Sequence, residues 1–551
     1  MQLKKRSKKR SKDKTPTLSL KERLAQKRKV TQARKELVST ITTAVLGAIF
    51  VGIILGVVGG IKTAVGGIAA ILCLSLSFKY PRTGLYAFLI YVPLGGTITY
   101  YLGSSPVLQL AKDAFYIPLL IGIVQACRKQ RLPIIIPKSI TAPLFILLGF
   151  CLLTLLFVNG TQQLSALQPT TLRQAQANEQ PFLMGILGLK VFLGYLPLIT
   201  CSYYTIRNKR DFLTITRLQI VIILICCGLA FIQFMMLRAG ICEGTRNAVG
   251  ADIFRASPNS RCFVGGGLLY NPDEGVIRLP GTFVAPWQWG WFLISSGFLT
   301  FASAFSDPSF RWRMVSLGSM ASVLIMAVVS GQRIALGVVP VCLVILLFLT
   351  GQIVNLKRFI PVGIGLAIIL GVAAINNPAI VQERVDSFIV RWNASPPQQF
   401  IMQQFGETWR EQEGFLGNGL GRATNSARFL GNIRLIETYY PKVLHEVGIF
   451  GTLAFIVLVT TLTITCFLAY RSIKNRNYRT YAACLWLFIL FISYNTYYYP
   501  LDVDPVAVYY WFFAGVLLKL PEIDKLEKLQ EKKEEGRKKK EDRRKKIENP
   551  R

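Results

Sequence analysis

Histidine is almost missing: His445 is the single one in 551 residues. With one histidine and no cysteines at metal-ligand spacing, a Cys/His metal site is excluded, and no metal or other cofactor is expected. Charge is scarce too. Charged residues make up 17% of the chain, against about a quarter in soluble domains, while 52% is hydrophobic and mean hydropathy is +0.41. One soluble domain, a disordered chain and a disulfide-rich secreted fold are thereby excluded. Residues 1–37 lack an apolar stretch or a small-residue cleavage site, so the first hydrophobic segment is expected to be a permanent anchor.

What is present is basic charge and long apolar runs. Lys and Arg number 64 against 29 Asp and Glu, a net charge of +35. Residues 1–37 hold 15 Lys/Arg against 3 acids, a net +12, and residues 519–551 hold 14 against 9, a net +5, so 17 of those charges sit in two tails. Tails of this kind beside a membrane core bind anionic lipid in the cytoplasm more often than nucleic acid, and no nucleic-acid partner is expected. The C-terminal tail, with Glu and Lys at helical spacing, reads as a mixed-charge helix.

Apolar runs of bilayer-spanning length predict an all-α, polytopic transmembrane bundle of about fourteen spans, with both termini inside. The expected organisation is a basic cytoplasmic tail (1–38), transmembrane helices (39–375), a large outer loop (376–441), further transmembrane helices (442–519) and a charged tail (520–551). The third span, with Pro93, Gly95 and Gly96, is a candidate broken or re-entrant segment. Orientation follows from the Lys/Arg excess of cytoplasmic loops. With the N-terminus inside, the inner connections include Lys79-Tyr-Pro-Arg82, Arg128-Lys-Gln-Arg131, Arg207-Asn-Lys-Arg210, Arg311-Trp-Arg313, Lys357-Arg358 and Arg471-Ser-Ile-Lys-Asn-Arg476, each a short basic cluster. The expected location of such a chain is a membrane that it crosses many times.

The outside is then built from loops 159–181, 239–282 and 376–441. The last two hold ten arginines and no lysine. Arginine's planar fork grips phosphate or carboxylate in bidentate fashion, as an ammonium cannot; most of these arginines are expected to pair with Glu383, Asp386, Glu407, Glu411 and Glu413, leaving a few for a ligand. Cys242 and Cys262 are the only cysteines of the outer loops and form a candidate disulfide. Asn159-Gly-Thr161 and Asn393-Ala-Ser395 match the common glycosylation sequon.

Two arginines lie at the outer edge of spans, where an arginine either snorkels as an anchor or meets a partner. Arg278 stands in Arg278-Leu-Pro-Gly-Thr-Phe283 and Arg333 in Ser330-Gly-Gln-Arg333. The large loop ends in Gly417-Asn-Gly-Leu-Gly421-Arg422, glycines that either approach an anion or form a turn, and Glu437-Thr438 leads through His445 to Gly448-Ile-Phe-Gly451. Asp113 and Lys190 lie about seven and eight residues inside their spans from the outer side, hence ~10 to 12 Å deep, which favours a neutralising pair over donor binding by Lys190. Trp287, Trp289, Trp291 and Tyr497–Tyr499 read mainly as an interfacial aromatic belt.

These motifs together resemble the O-antigen ligase and polysaccharide polymerase superfamily, over roughly residues 40–515, and the basic tail is similar to that of cyanobacterial hormogonium polysaccharide biosynthesis proteins. The resemblance implies an inverting, metal-independent glycosyltransferase that joins a polyprenyl-pyrophosphate-linked oligosaccharide donor to an acceptor glycan at the outer membrane face. It implies that Arg278 and Arg333 hold the pyrophosphate, with Arg422 and Lys190 as further substrate-binding candidates. The ligase pattern is His, then Asn, Ser or Gln, then nine residues, then Gly-x-x-Gly. Counting back from Gly448 puts Glu437 where that family has histidine. This departure favours a polymerase-type member with Glu437 as general base and His445 as the runner-up. A small-anion transporter, for example of bicarbonate, and a non-catalytic scaffold of polysaccharide export are the rival classes.

Overall fold

A computed structural model describes residues 20–102, 112–166, 179–247, 261–265, 269–271, 276–353 and 396–548, with isolated positions between 371 and 393. Among the described residues the fold is all-α apart from one small hairpin. Seven helices among the described residues are long and apolar enough to cross a membrane. The expected run at 359–375 and most of 376–395 lie outside the described residues, as do Glu383 and Lys357-Arg358.

The chain divides into two compact units, residues 1–76 and 77–551. In the first, the two runs expected at 39–60 and 63–78 are the two arms of α1 (Leu20–Lys79), which folds back on itself at Gly60, with φ 80°, so that Ile68 packs against Gly52 and Leu55 against Gly67. Glycine enters that region without a Cβ penalty, so the chain turns back there within a very short connection between the two runs.

The second unit begins with α2 (Pro81–Leu102), which is helical throughout despite Pro93 and the two glycines. The Pro93 carbonyl takes the Thr282 hydroxyl at 2.6 Å, and a Cβ on Gly96 would collide with the Phe283 backbone. The small residues let a loop approach the helix, and the helix does not break. After α3 (Asp113–Gln130), α4 (Thr141–Leu153) continues through a π-helical turn (Thr154–Asn159) into α5 (Gly160–Ala166). The span expected at 182–204 is split into α6 (Pro181–Leu193) and α7 (Leu198–Thr205). Pro197, without an N–H, starts the second piece. Then come α8 (Lys209–Arg238), β1 (Leu269–Asn271), β2 (Val276–Arg278), α9 (Pro286–Ser306), α10 (Phe310–Val329), α11 (Arg333–Leu349), α12 (Pro397–Arg410), α13 (Tyr439–Ser472), α14 (Arg476–Tyr494) and α15 (Val506–Glu548). The expected C-terminal mixed-charge helix is the continuation of the last apolar one.

Burial follows helical spacing. On α4, Leu144, Leu147 and Cys151 turn inward while Phe145, Ile146, Leu152 and Leu153 are exposed. On α13, Phe455, Leu458, Leu462 and Cys466 are buried while Phe450, Leu453 and Val457 are exposed. Large apolar side chains presented outward along whole helices suit lipid as the surrounding solvent. Helix α9 is the exception, buried on every side from Trp289 to Ser306. Of its hydroxyls, Ser295 donates to Trp291 O at 2.8 Å, Thr300 to Ser296 O at 2.8 Å, and Ser303 lies 2.8 Å from the Ser316 hydroxyl of α10. Trp289 and Trp291 therefore belong to the core, and the belt expectation is corrected for them; Trp287 is exposed.

The basic connections gather at one end. Arg82 pairs with the buried Asp211, Lys209 with Glu527, and Arg217 grips Asp307 with a fork of 2.9 and 2.8 Å. The Lys474 amide donates to Asp524. Helix α8 starts at this end with Asn208 as cap, its side chain accepting the Asp211 amide at 3.0 Å. The outer-loop candidates collect at the opposite end.

Candidate functional site

The two arginine motifs meet through their backbones. Strand β2 pairs antiparallel with β1, setting Arg278 opposite Leu269, and the next residue, Leu279, donates its amide to Ser330 O at 3.0 Å. The Arg278-Leu-Pro-Gly-Thr-Phe turn thus lies against the Ser330-Gly-Gln-Arg333 turn, although α9 and α10 separate the two motifs in the chain.

Each small residue of these turns has a local reason. Gly281 has φ 57°, and a Cβ there would run into the Trp289 ring. Thr282 ties the turn to α2 through its hydroxyl and through its carbonyl, which accepts the Thr97 amide at 3.1 Å. Gly331, with φ 68°, turns the chain between α10 and α11. Arg278 and Arg333 are both half-buried and both engaged in contacts. Cys242 and Cys262 are disulfide-bonded, with 5.6 Å between their Cα atoms, and Arg261 beside them donates to Tyr100 O at 3.2 Å.

The glycine run of the large loop is a packing device. A Cβ on Gly421 would strike Met184 O, one on Gly188 the Gly421 nitrogen, and one on Gly417 would lie 2.6 Å from the Gly448 nitrogen. Its amides are taken by the protein: Asn418 N donates to His445 O at 2.7 Å and Leu420 N to Asn159 Oδ1 at 2.9 Å. Asn159 is fully buried and also donates to Pro181 O and Leu420 O, so this sequon asparagine serves as a clamp between loops. Arg422 donates to Gln162 at 3.0 Å and pairs with Glu179 at 3.1 Å. Arg434 pairs with Glu407 and Glu411.

Helix α13 carries His445, and the other base candidate, Glu437, stands just before it. Gly448, with φ 70°, bends the helix one turn after His445. His445 is buried with Nδ1 3.2 Å from Asn418 Nδ2, and since that amide can only donate, Nδ1 is the acceptor. Glu437 is half-buried, its amide donating to Gln404 Oε1 at 3.2 Å. It faces Tyr499, whose phenol is pushed up by burial first and then by the carboxylates of Glu437 and Asp502. Tyr498 and Tyr499 both have positive φ, 57° and 32°, a strained pair of non-glycine residues. Trp291 of α9 donates to Tyr498 O at 3.3 Å, so the helix that follows the Arg278 turn also supports the Tyr499 loop.

Beneath them lies a buried charge network. Lys442 Nζ is 2.5 Å from Asp502 Oδ1, and their side chains are only 5% and 7% exposed. Asp502 and Lys442 line a pocket with Glu446, Tyr439, Phe192 and Val443. Glu446 accepts from the Ala423 amide and the Thr424 hydroxyl, both at 2.9 Å, while the buried Tyr439 hydroxyl has no hydrogen-bond partner among the described residues. Burial pushes the Asp502 carboxyl up to about 6 against the pull of Lys442. Nearby, Lys112 pairs with Asp504, and Lys190 with Asp113 at 2.8 Å; both ammonium groups lie over the Tyr195 ring, at 5.5 and 5.8 Å. No group of metal-binding side chains occurs among the described residues.

The sequence matches no family model and no curated protein. Geometry therefore has to carry the functional argument. It joins the Arg278 and Arg333 turns, and it sets Glu437 and Asp502 about Tyr499. His445 is turned to Asn418, Arg422 to Glu179 and Lys190 to Asp113. Lys112, Lys442, Glu446, Asp502 and Asp504 went unremarked in the sequence. Their signal was present: Lys442 and Glu446 stand four apart on one helix face, and Leu501-Asp-Val-Asp504-Pro puts two acids between two apolar runs.

Proposed function

We propose that the chain is an inner-membrane glycosyltransferase of polymerase or ligase type, with about fourteen spans and both tails in the cytoplasm. An acceptor glycan hydroxyl attacks the anomeric carbon of a polyprenyl-pyrophosphate-linked donor at the outer face. The C–O bond to pyrophosphate breaks, the electron pair leaves with the phosphate oxygen, and Glu437 takes the hydroxyl proton. Arg278 and Arg333 stabilise the departing pyrophosphate, the larger contribution, because fixed donors aimed at developing charge need no reorganisation. The observation that carries this reading is the Leu279–Ser330 hydrogen bond, which joins the two arginine turns at the end of the bundle where the large loop also packs.

Purified protein supplied with a lipid-linked oligosaccharide is expected to extend the glycan and release polyprenyl pyrophosphate. Failure to do either, with labelled anion taken up by vesicles instead, would overturn the reading in favour of transport. That rival draws on the buried lysine–aspartate pairs, since intramembrane charges often mark ion paths. Orientation is tested separately: a thiol probe applied from outside should reach a cysteine placed near Asn418 and miss one near Lys538.

A further inference from the structure

Helix α12 of the large loop has one side that the site does not use. Phe400, Gln404 and Thr408, four residues apart in turn, face the protein: the Phe400 ring meets Tyr497 edge-on at 6.1 Å, Gln404 holds the Glu437 amide, and Thr408 is buried. Around the helix, Met402, Phe405 and Trp409, at i, i+3 and i+7, are 67%, 37% and 61% exposed. Exposed apolar residues recur in the loop after the helix. Phe415, 72% exposed, lies 5.8 Å ring to ring from Phe450, the first member of the outward apolar stripe of α13, and Phe450 lies 6.0 Å from Phe150 of α4. Exposed Arg410 adjoins Trp409, and exposed Arg428 adjoins exposed Phe429.

We propose that α12 is an interfacial helix that rests on the outer leaflet, with Met402, Phe405 and Trp409 among the upper acyl chains and Arg410 and Arg428 at the lipid phosphates. The occupant is a phospholipid surface because the same loop, five residues after Arg410, sets the exposed Phe415 against Phe450 on the outward side of α13. Tryptophan beside arginine is also the composition that suits the boundary between acyl chains and headgroups. The same helix holds the Glu437 amide from its other side, so contact with lipid fixes the position of that loop. The inference rests on the bilayer reading of the bundle and not on the glycosyltransferase reading.

The test uses the full chain reconstituted in vesicles of phosphatidylethanolamine and phosphatidylglycerol. A photoreactive benzoylphenylalanine replaces Trp409 in one protein and the exposed polar Gln403 in another, and adducts are identified by mass spectrometry. Lipid adducts at position 409 should exceed those at 403 several-fold. No lipid adduct at 409, equal yields at the two positions, or crosslinking of 409 to a second copy of the chain would overturn the proposal. Should the 409 protein fail to insert, the probe at Met402 gives the same reading with the same outcomes.

Discussion

Replacing Lys442 with methionine would isolate the buried pair with Asp502. Both side chains are almost inaccessible and 2.5 Å apart, so the variant leaves a carboxylate without its counter-ion. Removing one partner of such a pair costs about 3 to 5 kcal/mol. The cost must depend on pH. With Lys442 present the carboxyl already titrates at about 6 instead of 3.8, and without it the value climbs further. The raised value means that the folded state keeps a proton the unfolded chain has lost. Asp502 therefore makes stability fall as pH rises from about 4 to about 6, with the penalty complete above that. In Lys442→Met the window moves upward, so the full loss appears at pH 8. At pH 5 the neutral acid forfeits little more than one hydrogen bond, about 1 kcal/mol. Thermal unfolding in detergent, followed by tryptophan fluorescence, should show a drop of several degrees at pH 8 and about one degree at pH 5. Lys442→Met combined with Asp502→Leu should recover most of the loss. A decrease of equal size at both pH values, or no recovery in the double variant, would refute the argument and assign Lys442 a packing role.

Arg278→Lys and Arg333→Lys keep the charge but lose the paired hydrogen bonds, so glycan transfer should fall severely in a donor assay while insertion is unchanged; an anchoring arginine would tolerate lysine. Glu437→Gln should lower turnover by ~10²-fold or more with little change in donor binding, and His445→Gln by much less, both measured on one donor. Gly188→Ala drives a methyl into the Gly421 backbone, which should cost roughly 1 to 3 kcal/mol and show as increased proteolysis of the 411–438 loop.

Apolar runs made the helices legible, because a segment that crosses lipid must satisfy its backbone polar groups within itself. The pairing of Asp113 with Lys190 was legible, and their charges meet at 2.8 Å, although α3 begins at Asp113 and does not carry it to the expected depth within a helix. What escaped was anything set by a neighbour distant in sequence. Trp289 and Trp291 look like belt residues until α9 is surrounded on all sides. Lys442 looks like an interfacial lysine until Asp502, beyond the whole of α14, closes on it. The Gly417–Gly421 run resembles an anion cradle until α6 and the bend at Gly448 fill it. A helix within the large loop was also missed, since α12 buries only one side and so lacks the strong apolar run that marked the others.

Helix α15 is a single element of 43 residues that continues through Pro521, about 65 Å long. Its first turns are walled in beside the Asp502 network, and its far portion, from Glu531 to Asp542, stands in the open. A rod of that kind has mechanical reach. Torque or tension applied to the charged stalk would be delivered along an unbroken helix to Val506, four residues from Asp502, with only the short turn 503–505 between them.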